Sequence, residues 1–464
     1  MEVEQASTHI TAIKRKGANA TQITLDELLN AREERVRTQA AMLREHRVPL
    51  ICFTMNVAGP VKTSPLIERA FGEGVRLIDG EISPYEVLER REEHTNCGPV
   101  SFYSVRADAN VLKARMVDIE QKHPIGRLFD IDVIDVDGRK MSRQGERGCM
   151  VCGAPGRACA AGRLHPVSEL IALTNSMLTD YFTDLDARRI ARIAKESLLR
   201  EVYTSPKPGL VDPVSRGSHT DMDVADFERS AEALEPYFRC CVKAGASGKS
   251  ESYEKTFLSL RESGLAAEEC MYAATRGVNT HKGAIFSMGI LLGAIGRLMS
   301  PDGYMPSVDE ILSEAARLSS ASIKRDFESI DGATAGGRAY IECGMRGIRG
   351  EVIDGFPSVK KIAIPAYRAA LARGKNKNDA GAITLLHLIA NVYDTTLYKR
   401  GGKAGVLYAR DRASELLSSG DPTVEDIRQM DAELIERNLS PGGCADLLAV
   451  TYFLTELENE KSIF

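Results

Sequence analysis

LFDIDVIDV, residues 128–136, alternates large apolar side chains with aspartates and runs into Asp137-Gly138. Successive side chains of a strand point to opposite faces, so Phe129, Ile131 and Val133 share one face and Asp130 and Asp132 the other. Asp-Gly is a strong hairpin-turn dipeptide, so the strand is expected to end there. Two carboxylates on alternate residues sit about 7 Å apart at a rise of ~3.3 Å per residue. At that spacing both reach a shared pair of divalent cations. A hard oxygen-ligand Mg²⁺ site takes such carboxylates together with the substrate's own phosphates. Two metals then brace the attacking and leaving oxygens of a phosphoryl displacement. The plain alternative is a strand with one solvated face, although aspartate is disfavoured in strands.

Outward from this strand the N-terminal part keeps alternating. Thr24 and Glu27 form a capping box that opens a helix to about His46. PLICFTMNV (49–57) and VSFYSV (100–105) read as strands, and 64–71 and 108–120 as helices. An α/β or α+β domain is expected over residues 21–185, after a polar, aperiodic tail at 1–20. Asn56 to Lys62 ends a strand at Gly59-Pro60, which makes Lys62 a candidate phosphate contact; Arg127 and Arg143 are two more.

From about Asp186 the period changes. Ile190, Ile193, Leu198 and Val202 follow helical spacing, and helices joined by Gly- and Pro-marked loops continue to the end. Residues 186–464 are therefore expected to form an all-α domain. The apolar run Gly283–Met299 is short for a membrane span, which needs about 20 apolar residues, so it reads as a buried core helix. The Gly289/Gly293 pair fits close helix packing.

The chain has 464 residues, 43% hydrophobic and 27% charged, with net charge −5. Two or three domains are expected at roughly 100–200 residues each. The acidic balance and the lack of interleaved basic and aromatic residues exclude a general nucleic-acid binder. The N-terminus has no apolar h-region. With ten cysteines, reduced thiols in a cytoplasmic protein are expected. Cys149, Cys152, Cys159 and His165 give C-x₂-C-x₆-C-x₅-H, a legitimate donor set for structural zinc. The later spacings match no standard finger, and ordinary thiols are the preferred reading.

The helical half holds five polar, Gly-rich segments where helices break: 205–212, 217–223, 277–283, 394–402 and 440–446. Helix N-termini and glycines suit phosphate. Lys207, Lys282 and Arg400 add charge, and Asn279, Gly401 and Gly402 add polar or close-approach positions. Asp221 and Asp223 are candidates to hold Mg²⁺ or to stabilise a cationic sugar. His219 and His281 are candidate proton donors, each also readable as a structural histidine. Taken singly, each segment is most often just a loop.

These segments in order carry two resemblances. NVAGPVKTSPLI, HPIGRLFDIDVIDVDG and SRQGERGCMVC, followed by Cys159, Arg163 and His165, resemble the apo-citrate lyase phosphoribosyl-dephospho-CoA transferase family over about 20–182. The resemblance implies a nucleotidyltransferase-like domain that transfers its group to a serine of the citrate lyase acyl carrier (gamma) subunit, with pyrophosphate leaving. TSPKPGLVD, GSHTDMD, GVNTHKGAIFS and SPGGCADLLA resemble the triphosphoribosyl-dephospho-CoA synthase family over about 186–464. That implies attack of the 2′-hydroxyl of 3′-dephospho-CoA on the ribose C1 of ATP, with adenine leaving. Thr395-Thr396-Leu397 after Asp394 departs from that family's pattern, where a shorter, more polar residue is expected. The alternatives are the same two steps for a malonate decarboxylase carrier, or a regulator that binds nucleotide and carrier without turnover. No membrane partner is expected.

Overall fold

The computed structural model describes residues 22–143, 145, 147–418 and 420–461. The tail expected at 1–20 lies outside them. The chain divides into two compact units, Met1–Phe182 with Pro301–Gly303, and Thr183–Ser300 with Tyr304–Phe464.

The first unit contains α1 (Leu25–His46), β1 (Leu50–Met55), α2 (Pro65–Ile82), β2 (Glu86–Thr95), β3 (Gly98–Arg106), α3 (Ala109–Lys122), β4 (Phe129–Ile134) and α4 (Gly156–Gly162). Thr24 caps α1, with Glu27 closing the box from the other side. The four strands form one sheet in the order β2-β3-β1-β4, antiparallel throughout, which makes the unit α+β. β2 escaped the sequence reading. EVLERREEHT is charged on both faces, a composition that suits an edge strand by discouraging pairing with another chain. α2 runs eleven residues past the expected end at 71. Gly72, Gly74 and Gly80 look like breakers, but Gly74 lies against the Phe53 ring, where a Cβ would fall 2.3 Å from Cζ. The glycine is there for packing.

β4 is the other edge. Its outer backbone groups are satisfied by α3: Lys113 Nζ donates to the Ile131 carbonyl at 2.9 Å, and Ile131 N–H donates to Glu120 Oε1 at 2.9 Å. Buried polar backbone needs such partners, so both charged side chains are buried here. The turn expected at Asp137-Gly138 is present, with Gly138 at φ 79 and its N–H bonded to the Asp135 carbonyl.

The long helix α5 (Val167–Tyr203) carries the chain into the second unit. Its described residues form α6 (Val224–Ser247), α7 (Tyr253–Ala274), α8 (Lys282–Leu298), α9 (Val308–Glu328), α10 (Ala335–Cys343), α11 (Gly347–Ile353), α12 (Ile364–Ala372), α13 (Lys377–Asn391), α14 (Thr395–Ser418), α15 (Val424–Glu436) and α16 (Gly442–Asn459), with no strand among them. α8 is the expected core helix, buried from Met288 to Gly296 without interruption. No helix of the described residues is long and apolar enough to cross a membrane. Its glycines set how closely neighbours approach. A Cβ on Gly296 would lie 2.0 Å from the Val242 carbonyl oxygen of α6, and one on Gly245 of α6 would lie 2.0 Å from the Gly293 carbonyl oxygen. Gly289 and Gly293 meet Tyr237 of α6 and Leu260 of α7 in the same way.

Overpacking a close helix contact costs roughly 1–3 kcal/mol. Gly296→Ala should therefore lower the urea or thermal midpoint. Gly336→Ala, in α10 with nothing within 4 Å of the added carbon, should not. Equal midpoints for the two variants would contradict the close-packing account.

Candidate functional site

The helical unit encloses a cavity of about 1270 Å³. Three helix N-termini open onto it: Lys282 and Gly283 of α8, Thr395 and Thr396 of α14, and Gly442 and Gly443 of α16. The partial positive charge of such termini favours anions. Two carboxylates already answer part of it. Asp394 accepts from the N–H groups of Thr396 (2.6 Å), Leu397 (3.1 Å) and Cys444 (2.8 Å), tying the starts of α14 and α16 together. Asp446 accepts a backbone hydrogen bond from Ala284 in α8. Gly283 is small because a Cβ there would lie 2.0 Å from Asp446 Oδ2.

Burial pushes the Asp446 carboxyl well above its ordinary range, and the charges of Glu201 and Asp394 push it further. Asp394 and Glu201 are raised too, first by burial. Lys207, 2% exposed, donates to Glu201 Oε1 at 2.6 Å and to the Glu201 carbonyl at 2.8 Å. The cavity thus has two carboxyls, Asp394 and Asp446, that burial biases toward the protonated form, beside the buried Lys207–Glu201 ion pair. On the opposite sign, Lys399 and Lys403 line it from either side of the break at Gly402 in α14, both exposed.

Of the residues singled out in the sequence, Lys207, His219, Asn279, His281 and Lys282 line this cavity, whereas Asp221, Asp223, Arg400, Gly401 and Gly402 do not. Asp223 is the N-cap of α6 and pairs with Arg216 at 3.1 Å. Asp221 is 63% exposed. Gly401 gives Leu439 room, since a Cβ would lie 2.5 Å from its Cδ2, and Gly402, at φ 59, marks a kink in α14. Arg400 donates to the Ser218 carbonyl (2.6 Å), to Asn438 (2.7 Å) and to His219 Nδ1 (3.1 Å). An arginine only donates, so His219 carries its proton on Nε2 and gives that hydrogen bond to Ser440 Oγ at 2.9 Å. Both nitrogens are engaged, and burial beside Arg400 pulls its pKa down to about 4. Asn279 accepts from the Lys282 N–H (3.3 Å), and Lys282 Nζ reaches Glu268 (2.7 Å).

His281 differs. It is buried, with Nδ1 2.7 Å from Ser230 Oγ, while Nε2 and the neighbouring Thr280 Oγ1 have no hydrogen-bond partner. Burial, helped by Lys207, pulls its pKa down to about 3, so the ring is neutral near pH 7. The sequence reading missed Asp446, Glu201, Lys399 and Lys403 as site residues. SPGGCAD was in view, but nothing in its spacing says that Asp446 folds back onto the start of α8.

In the first unit Phe129, Ile131 and Val133 are buried, Asp130 is exposed and Asp132 half-buried, as the alternation requires. Opposite them on β1 stand Thr54 and Cys52. Local crowding and the neighbouring Asp132 charge raise the Asp130 carboxyl. Lys140 pairs with Asp132 at 2.5 Å. The expected phosphate contacts have protein partners: Lys62 Nζ donates to the Val57 carbonyl (2.5 Å), Arg127 to the Gly148 carbonyl, and Arg143 to Glu120. Arg147, not anticipated, donates to the Phe129 carbonyl (3.0 Å) and pairs with Glu120 (2.5 Å). As a hard-oxygen set for Mg²⁺, the Asp130/Asp132 pair fits: two carboxyls share one strand face, and a divalent cation would relieve the cost of charging Asp130 beside Asp132. The structure also gathers Cys149, Cys152, Cys159 and His165.

Residues 187–463 match the ATP:dephospho-CoA triphosphoribosyl transferase family, and residues 23–181 the apo-citrate lyase phosphoribosyl-dephospho-CoA transferase family. A Haemophilus influenzae relative named Protein CitXG is 33% identical over 453 residues, covering 93% of this chain and 96% of the relative. A second protein of that name, from Leuconostoc mesenteroides subsp. cremoris, is 31% identical over 464 residues, covering 94% and 97%. The 2-(5''-triphosphoribosyl)-3'-dephosphocoenzyme-A synthase of Pectobacterium atrosepticum is 38% identical over 290 residues, 62% of this chain and 96% of the relative. The chain belongs to the ATP:dephospho-CoA triphosphoribosyl transferase family, joined to an apo-citrate lyase phosphoribosyl-dephospho-CoA transferase part, and is a transferase.

His281 gives a pH test. In the unfolded chain a histidine titrates near pH ~6.5; the folded one resists protonation down to about 3. Between those values the unfolded state binds more protons, so this contribution is present above pH ~6.5 and lost as pH falls. The gap in thermal midpoint between the wild type and His281→Asn should narrow from pH 7 to pH 5. A constant gap would contradict a neutral buried ring.

Proposed function

We propose that this family member works as a bifunctional enzyme of citrate lyase prosthetic-group biosynthesis. Its helical unit would convert ATP and 3′-dephospho-CoA into 2′-(5″-triphosphoribosyl)-3′-dephospho-CoA and adenine. Its first unit, read as nucleotidyltransferase-like, would pass that group to a serine of the citrate lyase acyl carrier subunit and release pyrophosphate. ATP and dephospho-CoA are cytoplasmic metabolites, which fits the cytoplasm as the site of both steps.

The observation that carries the first half is the cavity in which Asp446 is biased toward its protonated form. In the sugar transfer the C1–N9 bond of ATP breaks and a bond from C1 to the 2′-oxygen forms. The departing adenine needs a proton, and a buried carboxyl, which holds its proton more tightly than an ordinary aspartic acid, would supply one. The carboxylate left behind then takes the proton of the attacking hydroxyl, so Asp446 ends as it began. Lys399, Lys403 and the helix N-termini supply positive potential for the triphosphate. The unpartnered His281 Nε2 and Thr280 Oγ1 offer hydrogen bonds to bound substrate. Arg400 and His219 hold the 217–223 loop against 438–440 and act by positioning. Asp221 and Asp223, candidates from the sequence, have no role in this scheme.

In the first unit the carrier hydroxyl attacks the α-phosphorus and the α–β bridge breaks, with the hydroxyl proton passing to solvent and pyrophosphate leaving. Asp130 and Asp132 would hold Mg²⁺, which supplies charge neutralisation at the phosphates. Arg127, Arg143 and Arg147, now bonded to the Gly148 carbonyl, Glu120 and the Phe129 carbonyl, would exchange these partners for phosphate oxygens. Lys62 closes the turn after β1.

The two halves separate by substitution. Asp446→Asn keeps the shape and the helix cap but removes the acid, so adenine release should fall at least ~10²-fold, in line with general acid contributions. Loading from supplied triphosphoribosyl-dephospho-CoA should persist. Asp130→Asn should do the reverse. Chromatography of adenine and mass measurement of the carrier read both steps. Loss of both steps in both folded variants would overturn the division.

A further inference from the structure

The cysteines near the end of the first unit have no part in the scheme above. We propose that Cys149, Cys152, Cys159 and His165 hold one structural zinc ion, which clips the segment after β4 to the start of α5. This does not rest on the proposed reactions.

The four donor atoms, one from each residue, all lie within 4.8 Å of one another. A tetrahedral zinc with Zn–S of ~2.3 Å sets its ligands about 3.8 Å apart. Cys152 Sγ and Cys159 Sγ stand 3.4 Å apart, close to that edge and far beyond the ~2.05 Å of a disulfide. The backbone shapes the set. Cys149 N–H donates to the Ala154 carbonyl at 2.6 Å and Gly153 N–H to the Cys149 carbonyl at 3.0 Å, with Gly153 at φ 73. That tight turn brings the sulfurs of Cys149 and Cys152 together.

The histidine adds an independent observation. His165 Nδ1 lies 3.3 Å from Oε2 of Glu169 in the first turn of α5, while Nε2 is buried without a well-formed hydrogen bond and the ring interacts with the Cys152 thiol. A metal-binding histidine characteristically gives its outer nitrogen to a carboxylate and keeps the other for the ion. A buried nitrogen without a partner is otherwise costly. Binding would convert three thiols to thiolates, release three protons to solvent and leave a Cys₃His site of net charge −1.

The ion would fix a segment that serves the Asp130 face. The Arg147 carbonyl accepts from Gly156 N–H at 2.9 Å, and the Gly148 carbonyl accepts from Arg127. Both arginines thus hang on backbone that the cluster closes.

The test uses the full chain, purified reduced and without a histidine tag, then passed over a chelating resin. Metal analysis should find about one zinc per chain. Thiol modification should release it, and cobalt substitution should give the intense thiolate-to-cobalt absorption of a tetrahedral site. Cys159→Ser and His165→Ala should lose the metal, while Cys240→Ser, an exposed thiol of the helical unit, should keep it. His46→Gln should also keep it, which excludes the Glu45, His46 and Glu89 group. No zinc above a buffer blank after zinc is added, a Cys152–Cys159 disulfide in the reduced protein, or undiminished metal in Cys159→Ser would each overturn the proposal. If Cys159→Ser fails to fold, the wild-type cobalt spectrum decides, and absence of the thiolate band refutes it.

Discussion

The Asp394 carboxylate, held by three backbone N–H groups at the starts of α14 and α16, is the contact on which the helical unit's cavity depends. Two helix termini that would repel each other are joined by one carboxyl group that accepts N–H bonds from both. Everything proposed for the cavity follows from that junction. It sets Gly442 and Gly443 at the cavity wall, and it places Asp446, one turn further along α16, against the start of α8. Burial then does the chemical work. Asp394 and Asp446 are raised and His281 is lowered, which moves these groups toward their neutral forms.

Much of the fold could be read from residue pattern. The capping box of α1, the alternation in β4, the Asp137-Gly138 turn and the buried α8 all rest on local periodicity or on dipeptides with fixed conformational demands. β2 could not be read in this way. Its charged sequence makes sense only as an edge, which is a property of the sheet. The length of α2 was hidden by Gly74, whose reason lies in the ring of Phe53. At the candidate site, Lys207, His281 and the paired aspartates of β4 were visible as chemistry on loops or strand faces. Asp446, Glu201, Lys399 and Lys403 were not, because only the folded unit brings α5, α8, α14 and α16 to one enclosure. The cysteine cluster falls between these cases. Its spacing fits no familiar finger, yet the turn at Gly153 brings the donors together.

Thr395-Thr396-Leu397, the departure from pattern after Asp394, also finds a physical place. The amides of Thr396 and Leu397 are the ones that Asp394 engages, and any residue with a backbone N–H serves there. Arg400 and His219 show the complementary case: groups suited to phosphate or proton transfer whose hydrogen bonds are spent on holding a loop.

The central claim is that one chain both makes and attaches the prosthetic group. The most direct measurement is mass spectrometry of the citrate lyase acyl carrier after incubation with ATP, 3′-dephospho-CoA, Mg²⁺ and this protein. The account predicts a carrier heavier by one phosphoribosyl-dephospho-CoA group on a serine, with one adenine and one pyrophosphate released per carrier. An unmodified carrier in the presence of folded protein, or modification without adenine, would contradict it.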